Sequence, residues 1–366
     1  MNNPFSPVTG YLALEDGKIF TGYHFGFNGL STGEIVFNTS MTGYQEILSD
    51  PSYAEQIITM TYPEIGNYGC NDSDQESQSV YAKGLVIKNL STNFSNHLGL
   101  YSLADYLVAN KVIGLYNIDT RALTRHIRDL GAMRAVICDD SYSKENIVDL
   151  AKSSKSMLGL DLTSIVTRNK PSKIQSGQYK IACLDYGIKD SIINCLKKFD
   201  FDITVFPANT KFAELMQINP DGFLLSNGPG DPSSNEAIIN EVIKIKNSHK
   251  PVLAICLGHQ LMALACKAKT YKLKFGHRGG NQPVKNLLTN QVHITAHNHG
   301  FAVDINSLPD CLVPSFINLN DNSLEGFFHK ELPINCVQFH PEAHPGPTDA
   351  MYLFENFYNV VKLNYQ

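Results

Sequence analysis

The stretch "PVLAICLGHQLMALA", residues 251–265, decides the fold of the second half of the chain. Up to Ile255 it is a short, continuous apolar run, which is typical of a strand buried on both faces. A helix-like run begins directly after Cys256. The sequence therefore predicts a strand, a sharp turn and a helix, with a thiol at the junction.

Small residues flank this cysteine. Ala254 and Gly258 stand two positions before and after Cys256, as a strand-to-helix nucleophile elbow requires. Such a strained turn costs about 1–3 kcal/mol and is rarely kept without a function. A helix start also favours the thiolate over the thiol. Scattered cysteines are usually reduced and buried, but this placement favours a nucleophile.

Outward from this stretch, apolar runs alternate with helical stretches. The predicted strands lie in "KIACLDY", "DITVFP", "GFLLSN" and "PVLAI". The predicted helices cover 188–198, 211–217, 235–246, the run after Cys256, and a closing helix near 348–362. Beyond 267, "VHITAHNHGFAVD" and "NCVQFH" are predicted as antiparallel additions. The pattern predicts an α/β domain over 179–366, with a mostly parallel sheet flanked by helices.

The first part of the chain mixes strands and helices without regular alternation. "YLALEDGKIFTGYHFG" predicts a hairpin that turns at Asp16-Gly17. Further strands are predicted in "GEIVFNTS", "AEQIITMTYP" and "VYAKGLVIKNL", and helices in "SLADYLVANK" and "DTRALTRHIRDLG". Asp119 or Thr120 is expected to cap the second helix and Gly131 to end it. Residues 1–150 are thus predicted as an α+β domain, and the polar segment 151–178 as a linker.

Composition excludes several classes of function. A length of 366 residues suggests two domains. The net charge of -5 gives no electrostatic footprint for nucleic acid. No uninterrupted apolar run reaches about 18 residues, so no membrane span is predicted. Because the N-terminus also lacks a secretory pattern, we expect a cytoplasmic location.

Three predicted strands end in residues suited to chemistry. "FLLSN" runs into Gly228-Pro-Gly-Asp-Pro, "VLAI" into Cys256, and "CVQF" into His340-Pro-Glu342. If these strands are neighbours, their carboxyl ends converge on one site. His340 and Glu342 lie two apart on an extended segment and project to the same side. An imidazole that takes the thiol proton and a carboxylate that orients it would form a Cys-His-Glu triad.

Other patterns point to no metal and no nucleotide on this chain. His293, His297 and His299 have alternate spacing on a predicted strand, but no cysteine or carboxylate motif completes a ligand set. We therefore predict no metal site. The sequence also lacks a GxxxxGK[ST] motif, so ATP chemistry is not expected here.

The assembled motifs resemble a known family. "SNGPGDP", "AICLGHQ" and "FHPE", in this order, resemble the signatures of class I, triad-type glutamine amidotransferases. "GEIVFNTSMTGYQEILSDPSYAEQIITMTYPEIGNYG", "NIDTRALTRHIRDLGAM", "KFGHRGGNQPV" and "HNHGFAVD" resemble the small-subunit family of carbamoyl-phosphate synthetases. The resemblance covers essentially the whole chain.

The resemblance implies a role for each motif residue. Cys256 would attack the carboxamide of L-glutamine to form a thioester, His340 would transfer protons, and Glu342 would orient His340. The backbone N–H groups of Leu257 and Gly228 would form the oxyanion hole. The positions that match the family's glutamine-binding residues are Ser52, Gly228, Gly230, Leu257, Gln260, Asn298, Gly300 and Phe301. Ser52 would place the pocket at the cleft between the domains.

The resemblance also implies a partner. Ammonia would pass through a sheltered tunnel to a large subunit, in a heterodimer acting as a ligase. That subunit would bind ATP, Mg and bicarbonate and make carbamoyl phosphate for arginine and pyrimidine biosynthesis, and no cofactor is expected on this chain. An alternative is that the chain supplies ammonia to another synthetase, such as an anthranilate- or GMP-making partner. The stretch "NTSMTGYQEILSDPSY", which resembles the carbamoyl-phosphate synthetase small subunits, argues against this alternative. A non-catalytic regulatory subunit is disfavoured because all three triad side chains are present.

Three positions depart from the family pattern. Ala254 stands where the elbow usually carries glycine. Gln282 and His297 stand where relatives often show histidine and glutamine, respectively.

Overall fold

The computed structural model describes residues 8–365, and the chain divides into two compact units, Met1–Met157 and Leu158–Gln366. The strands described in unit 1 are β1 (Thr9–Leu14), β2 (Ile19–Gly26), β3 (Leu30–Asn38), β4 (Gln56–Met60), β5 (Glu64–Ile65), β6 (Gly84–Val86), β7 (Asn89–Leu90), β8 (Ile113–Tyr116) and β9 (Met133–Asp139). Its helices are α1 (Tyr44–Ser49), α2 (Leu103–Ala109), α3 (Thr120–Leu130) and α4 (Lys144–Ser153).

Unit 1 is built on a closed barrel, which confirms the predicted α+β character. The strand order is β1-β2-β8-β6-β4-β3-β9, and β9 pairs back with β1. The predicted hairpin is confirmed by the antiparallel pairing of β1 with β2. The Asp119 side chain caps α3 by accepting the N–H of Ala122, and Gly131, with φ 106°, ends the helix as predicted. Helix α1 was missed because "YQEILS" is short and begins at Gly43 without a side-chain cap.

Unit 2 contains the longer sheet. Its strands are β10 (Ser172–Gln175), β11 (Tyr179–Asp185), β12 (Phe201–Pro207), β13 (Gly222–Leu225), β14 (Val252–Ile255), β15 (Thr270–Asn286), β16 (Val292–Val303), β17 (Leu312–Asn318), β18 (Leu324–His329) and β19 (Ile334–Val337). Its helices are α5 (Thr163–Val166), α6 (Asp190–Leu196), α7 (Phe212–Leu215), α8 (Glu236–Asn247), α9 (Leu257–Ala265) and α10 (Tyr352–Asn364).

The sheet of unit 2 has a parallel centre with antiparallel additions on both sides. The order is β10-β12-β11-β13-β14-β19-β18-β17-β15-β16, and the neighbours from β12 to β19 are parallel. The predicted parallel α/β core is confirmed, as is the antiparallel placement of β16. The segment "NCVQFH" begins in β19, which pairs antiparallel with β18 as predicted, but this strand also pairs parallel with β14 and so belongs to the parallel centre, which the prediction missed. Strand β19 follows β18 with no helix between them, so the alternation that reveals a parallel strand is missing there.

Helices cover both faces of the parallel centre. Alternate residues of β11 face opposite sides, with Leu184 in one buried cluster and Cys183 in the other. Helices α8 and α9 pack on the first face, and α6 and α10 on the second. Among the residues described, no helix is both long enough and apolar enough to cross a bilayer.

The segment 151–178, predicted as a linker, contains the division between the units but is not without structure. Residues 172–175 form β10, which pairs antiparallel with β12. Ile174 packs on the buried cluster of the second face, and the Gln175 side chain donates to the carbonyls of Phe199 and Phe201. These contacts make Ser172–Gln175 an edge strand of unit 2 rather than part of a linker.

Candidate active site

Cys256 occupies the turn between β14 and α9. Its backbone has φ 53° and ψ -102°, a region that residues other than glycine rarely adopt. The Cys256 N–H donates to the carbonyl of Val337 at 2.8 Å, so β19 holds the turn in place. The side chain is only 2% exposed. The strained turn at this thiol is the one that the sequence predicts.

Gly258 explains why a small residue is needed after the cysteine. A Cβ atom at this position would lie 2.3 Å from the carbonyl oxygen of Leu225. The Gly258 N–H donates to the carbonyl of Ser226 at 3.0 Å, which ties the first turn of α9 to the end of β13. Any side chain would separate these elements and move the cysteine. Ala254, in β14, is fully buried.

His340, the predicted second member of the triad, follows the neighbouring strand β19. Val337, the last residue of β19, pairs with Ile255 of β14. The chain then continues to His340, whose N–H donates to the carbonyl of Ala296 at 2.8 Å. Cys256 Sγ lies 3.7 Å from the carbonyl oxygen of Asn298. Strand β16 thus contacts both the cysteine and the histidine, and the predicted convergence of strand ends occurs.

His340 is held by Glu342. His340 Nδ1 lies 2.6 Å from Glu342 Oε1, and both side chains are buried. An ionised carboxylate only accepts hydrogen bonds, so Nδ1 carries a proton and, in the neutral ring, Nε2 carries the lone pair. Burial alone lowers the pKa of His340. The charge of Glu342 and the neighbouring Cys256 outweigh burial and raise this pKa above its ordinary value.

Lys189 is a site residue that sequence reasoning missed. Its Nζ donates to Glu342 Oε1 at 3.1 Å and to the carbonyls of Ala343 and His344 at 2.7 and 2.8 Å. Burial raises the pKa of Glu342, but Lys189 and then His340 lower it, and the net shift is downward. A lysine just beyond the carboxyl end of β11 was the only signal in the sequence.

The glycines of the "GPGDP" loop permit close backbone approach. A Cβ at Gly228 would lie 2.2 Å from the carbonyl oxygen of Tyr186. Gly230 has φ +97°, and a Cβ there would lie 2.7 Å from the carbonyl oxygen of Leu160. The Asp231 N–H donates to the same Leu160 carbonyl at 2.9 Å, which anchors the loop. Only glycine fits at these two predicted substrate positions.

Comparison with known proteins identifies the family. Residues 12–137 match the model described as carbamoyl-phosphate synthase small chain, CPSase domain, and residues 182–360 match glutamine amidotransferase class-I. The carbamoyl phosphate synthase small chain of Syntrophotalea carbinolica is 48% identical over 370 residues, covering 97% of this chain and 98% of that protein. The chain belongs to the carbamoyl phosphate synthase small chain family. The chain is similar to two further carbamoyl phosphate synthase small chains. That of Clostridium acetobutylicum is 47% identical, covering 96% of this chain and 100% of that protein. That of Akkermansia muciniphila is 45% identical, covering 96% of each.

Unit 2 is therefore the glutamine amidotransferase domain of a small chain, and the protein is the glutamine-hydrolysing chain of its enzyme. Two more predicted residues of this domain, Gln260 and Phe301, contact each other. Gln260 Nε2 donates to the carbonyl of Phe301 at 2.8 Å and to Gln338 Oε1 at 2.9 Å. Gln338 had not been singled out in the sequence. Asn298, Gly300 and Phe301 all lie on β16, which therefore contributes three of the predicted substrate residues.

Ser52 belongs to the other part of this small chain, in unit 1. It lies in a short 3-10 helix, Pro51–Tyr53, and its N–H donates to Asp50 Oδ1 at 2.9 Å. Ser52 is buried. Its role in glutamine binding stays a prediction from the resemblance.

Proposed function

We propose that this chain hydrolyses L-glutamine through a Cys256 thioester and delivers the ammonia to a carbamoyl phosphate synthetase large subunit. The observation that carries the proposal is the His340–Glu342 contact of 2.6 Å, made beside a thiol on a strained strand-to-helix turn. This arrangement supplies a nucleophile, a base and an orienting charge in one buried place.

In the first step, Cys256 Sγ attacks the carboxamide carbon while His340 Nε2 accepts the thiol proton. The carbonyl oxygen becomes negative and is stabilised by the N–H groups of Leu257 and Gly228. One such donor contributes about 10²–10³-fold to the rate. The imidazolium then gives its proton to the departing nitrogen, the C–N bond breaks, and ammonia and a γ-glutamyl thioester remain.

In the second step, His340 accepts a proton from water, and the water oxygen attacks the thioester carbon. The C–S bond breaks, the imidazolium returns its proton to sulfur, and glutamate is released. Glu342 stabilises the imidazolium in both steps, while Lys189 keeps Glu342 ionised. The residues proposed to hold L-glutamine are those predicted from the sequence: Ser52, Gly228, Gly230, Leu257, Gln260, Asn298, Gly300 and Phe301.

We also propose that the product leaves through a sheltered route. Ammonia free in water at neutral pH becomes ammonium, which is not a nucleophile. A tunnel to the large subunit would prevent this loss, and that subunit would supply the sites for ATP, Mg²⁺ and bicarbonate in the cytoplasm. The carbamoyl phosphate would serve arginine and pyrimidine synthesis.

Replacement of the nucleophile tests the proposal. In Cys256→Ser, assembled with its large subunit, we expect glutamine-dependent carbamoyl phosphate synthesis to fall by about 10³-fold or more, because the nucleophile is lost. Ammonia-dependent synthesis should be retained, since it does not use this site. Cys311→Ser, which removes a thiol outside the site, is the matched control and should behave like the wild type.

Two outcomes would contradict the proposal. Glutaminase activity retained in Cys256→Ser would remove the nucleophile assignment. Glutamine-dependent product formed with an anthranilate- or GMP-making synthetase, but not with the carbamoyl phosphate large subunit, would reject the partner.

A further inference from the structure

We propose that unit 2 contains a second buried site, formed by His277, His297, His299 and Glu325, that binds one divalent transition-metal ion of the zinc type. Each of these side chains offers one ligand atom, and the four atoms lie within 4.8 Å of one another. All four residues are buried. We call this group the histidine cluster. The proposal is independent of glutamine hydrolysis.

The sheet brings the histidine cluster together from three strands. His277 lies on β15 and pairs with His299 of β16, on which His297 also lies. Glu325 is the second residue of β18 and is fully buried. Because regular strands hold the four residues, the site is formed without a loop that would have to close.

Each imidazole is fixed by the nitrogen that faces away from the cluster centre. His277 Nε2 contacts Asp321 Oδ2 at 2.9 Å. His297 Nε2 contacts Thr295 Oγ1 at 2.8 Å, and His299 Nδ1 contacts the Phe301 carbonyl at 2.9 Å. Carboxylate, hydroxyl and carbonyl partners of this kind orient metal-binding histidines in proteins.

These outer contacts fix where the ring protons lie. The Phe301 carbonyl only accepts, so His299 Nδ1 carries the proton and Nε2 presents a lone pair. The Thr295 hydroxyl donates to the Gln282 carbonyl at 3.0 Å, so it accepts from His297 Nε2, and His297 Nδ1 also presents a lone pair. These two lone pairs face each other at 3.1 Å. A cation between them removes the repulsion.

The carboxylate and the third imidazole each have one buried atom without a hydrogen bond to any described residue. Glu325 Oε1 accepts from Asn318 and Ser323, each at 3.2 Å. Glu325 Oε2 and His277 Nδ1 are buried and make no hydrogen bond within the part of the chain that the structure describes. Both atoms face the cluster: Glu325 oxygens lie 3.3 Å from His277 Nδ1 and 3.6 Å from His297 Nδ1.

The separations suit zinc-type coordination. Bonds of 2.0–2.1 Å in a tetrahedron place neighbouring ligand atoms about 3.3 Å apart. The contacts of 3.1, 3.3 and 3.6 Å in the cluster bracket that value. Imidazole nitrogens with one carboxylate favour zinc and its neighbours over magnesium or calcium. Four buried protein ligands leave no open position, which indicates a structural rather than a catalytic ion.

A proton is the competing occupant. Burial, followed by the charge of His277, holds the pKa of both His297 and His299 well below the ordinary value. Asp321 and Glu325 outweigh burial and raise the pKa of His277 to about 9, so a proton on His277 is the occupant that a metal ion would displace. The sequence-based expectation of no metal rested on His293, His297 and His299, whereas the cluster contains His277 and Glu325 in place of His293.

Metal content of the purified full chain tests the site. The chain is prepared without a histidine tag from zinc-supplemented cells, passed through metal-free buffer and measured by elemental mass spectrometry. We expect about one zinc ion per chain. His297→Gln should lower the content at least tenfold, because it removes a ligand while keeping a polar side chain. His293→Gln removes an imidazole from the same strand and should retain the metal.

A second variant and a spectroscopic readout keep the test decisive. Glu325→Gln preserves the shape of the side chain and should also lose the metal, while circular dichroism verifies that each variant is folded. Cobalt(II) added to metal-free wild type should give the strong visible absorption of a tetrahedral site. The proposal is overturned if folded wild type holds no more metal than His297→Gln and takes up no cobalt, because a proton then fills the cluster.

Discussion

The triad and the histidine cluster are two buried groups in one unit, and both place imidazole beside glutamate. They differ in what faces the carboxylate. Glu342 receives the Lys189 ammonium and the Nδ1–H of His340. Glu325 Oε2 has no donor among the described residues and faces ring lone pairs instead. The comparison teaches that the partners of the carboxylate decide its role: Glu342 is held by two N–H donors and can support proton transfer, whereas Glu325 Oε2 has none among the described residues and can bind a metal ion.

The prediction with the largest expected effect tests whether the triad and the histidine cluster act independently. His340→Asn should lower glutamine hydrolysis by about 10³-fold or more, because the base and the orienting pair are lost together. The metal content should stay that of the wild type, since His340 is not a member of the cluster. Glutamate release and elemental analysis on the same preparation measure both. A variant that also loses its metal would show that the two groups are not separate.

Lys189→Met tests whether the triad depends on its buried cation. Breaking a buried ion pair by removing one partner costs about 3–5 kcal/mol of stability. We expect a loss of this size in chemical denaturation, together with slower hydrolysis, because burial then raises the pKa of Glu342 and weakens its hold on His340. Lys189 directly precedes α6, and Lys197 directly follows it; Lys197→Met removes this exposed lysine and should change stability little.

The pH dependence of this loss has a defined sign. The pKa of Glu342 is lower in the folded chain, so its ionised form contributes stability at every pH above the ordinary glutamate pKa of about 4.3. The contribution is lost as the pH falls below that value toward the folded pKa. In Lys189→Met burial raises the pKa of Glu342, so the ionised carboxylate no longer stabilises the fold at neutral pH, and the stability difference between variant and wild type should shrink as the pH falls from 8 toward 4. Melting temperatures of wild type and Lys189→Met that differ by the same amount at every pH from 4 to 8 would contradict this.

The sequence predicted the triad because its signals are local. A thiol between an apolar run and a helix, and an imidazole two residues before a carboxylate, can each be found in a few adjacent positions. The parallel core of unit 2 followed from the alternation of apolar runs and helices. The barrel of unit 1 could not be predicted from the sequence, because its closure depends on the pairing of β1 with β9 across more than a hundred residues.

Lys189 and Glu325 could not be found in the same way. Each completes a site through contacts between segments that are far apart in sequence, 153 residues in the case of Lys189 and Glu342. Alternate spacing alone selected His293 with His297 and His299, whereas the third ring of the cluster is His277, from the paired strand. Spacing along one strand cannot identify the ligand that a neighbouring strand contributes.

The prediction with the smallest expected effect tests which ring nitrogen of His297 carries the proton, since the proposed metal site needs a lone pair on Nδ1. In Thr295→Val the side chain keeps its shape but can no longer accept from His297 Nε2, so the ring loses the contact that fixes its tautomer. Loss of such an outer contact lowers metal affinity about 10–100-fold. Thr295→Ser keeps the hydroxyl and should restore most of the affinity. Competition with a chelator measures the three affinities. Equal values for wild type and Thr295→Val would mean that the hydroxyl does not set the tautomer, and the facing lone pairs would lose their support.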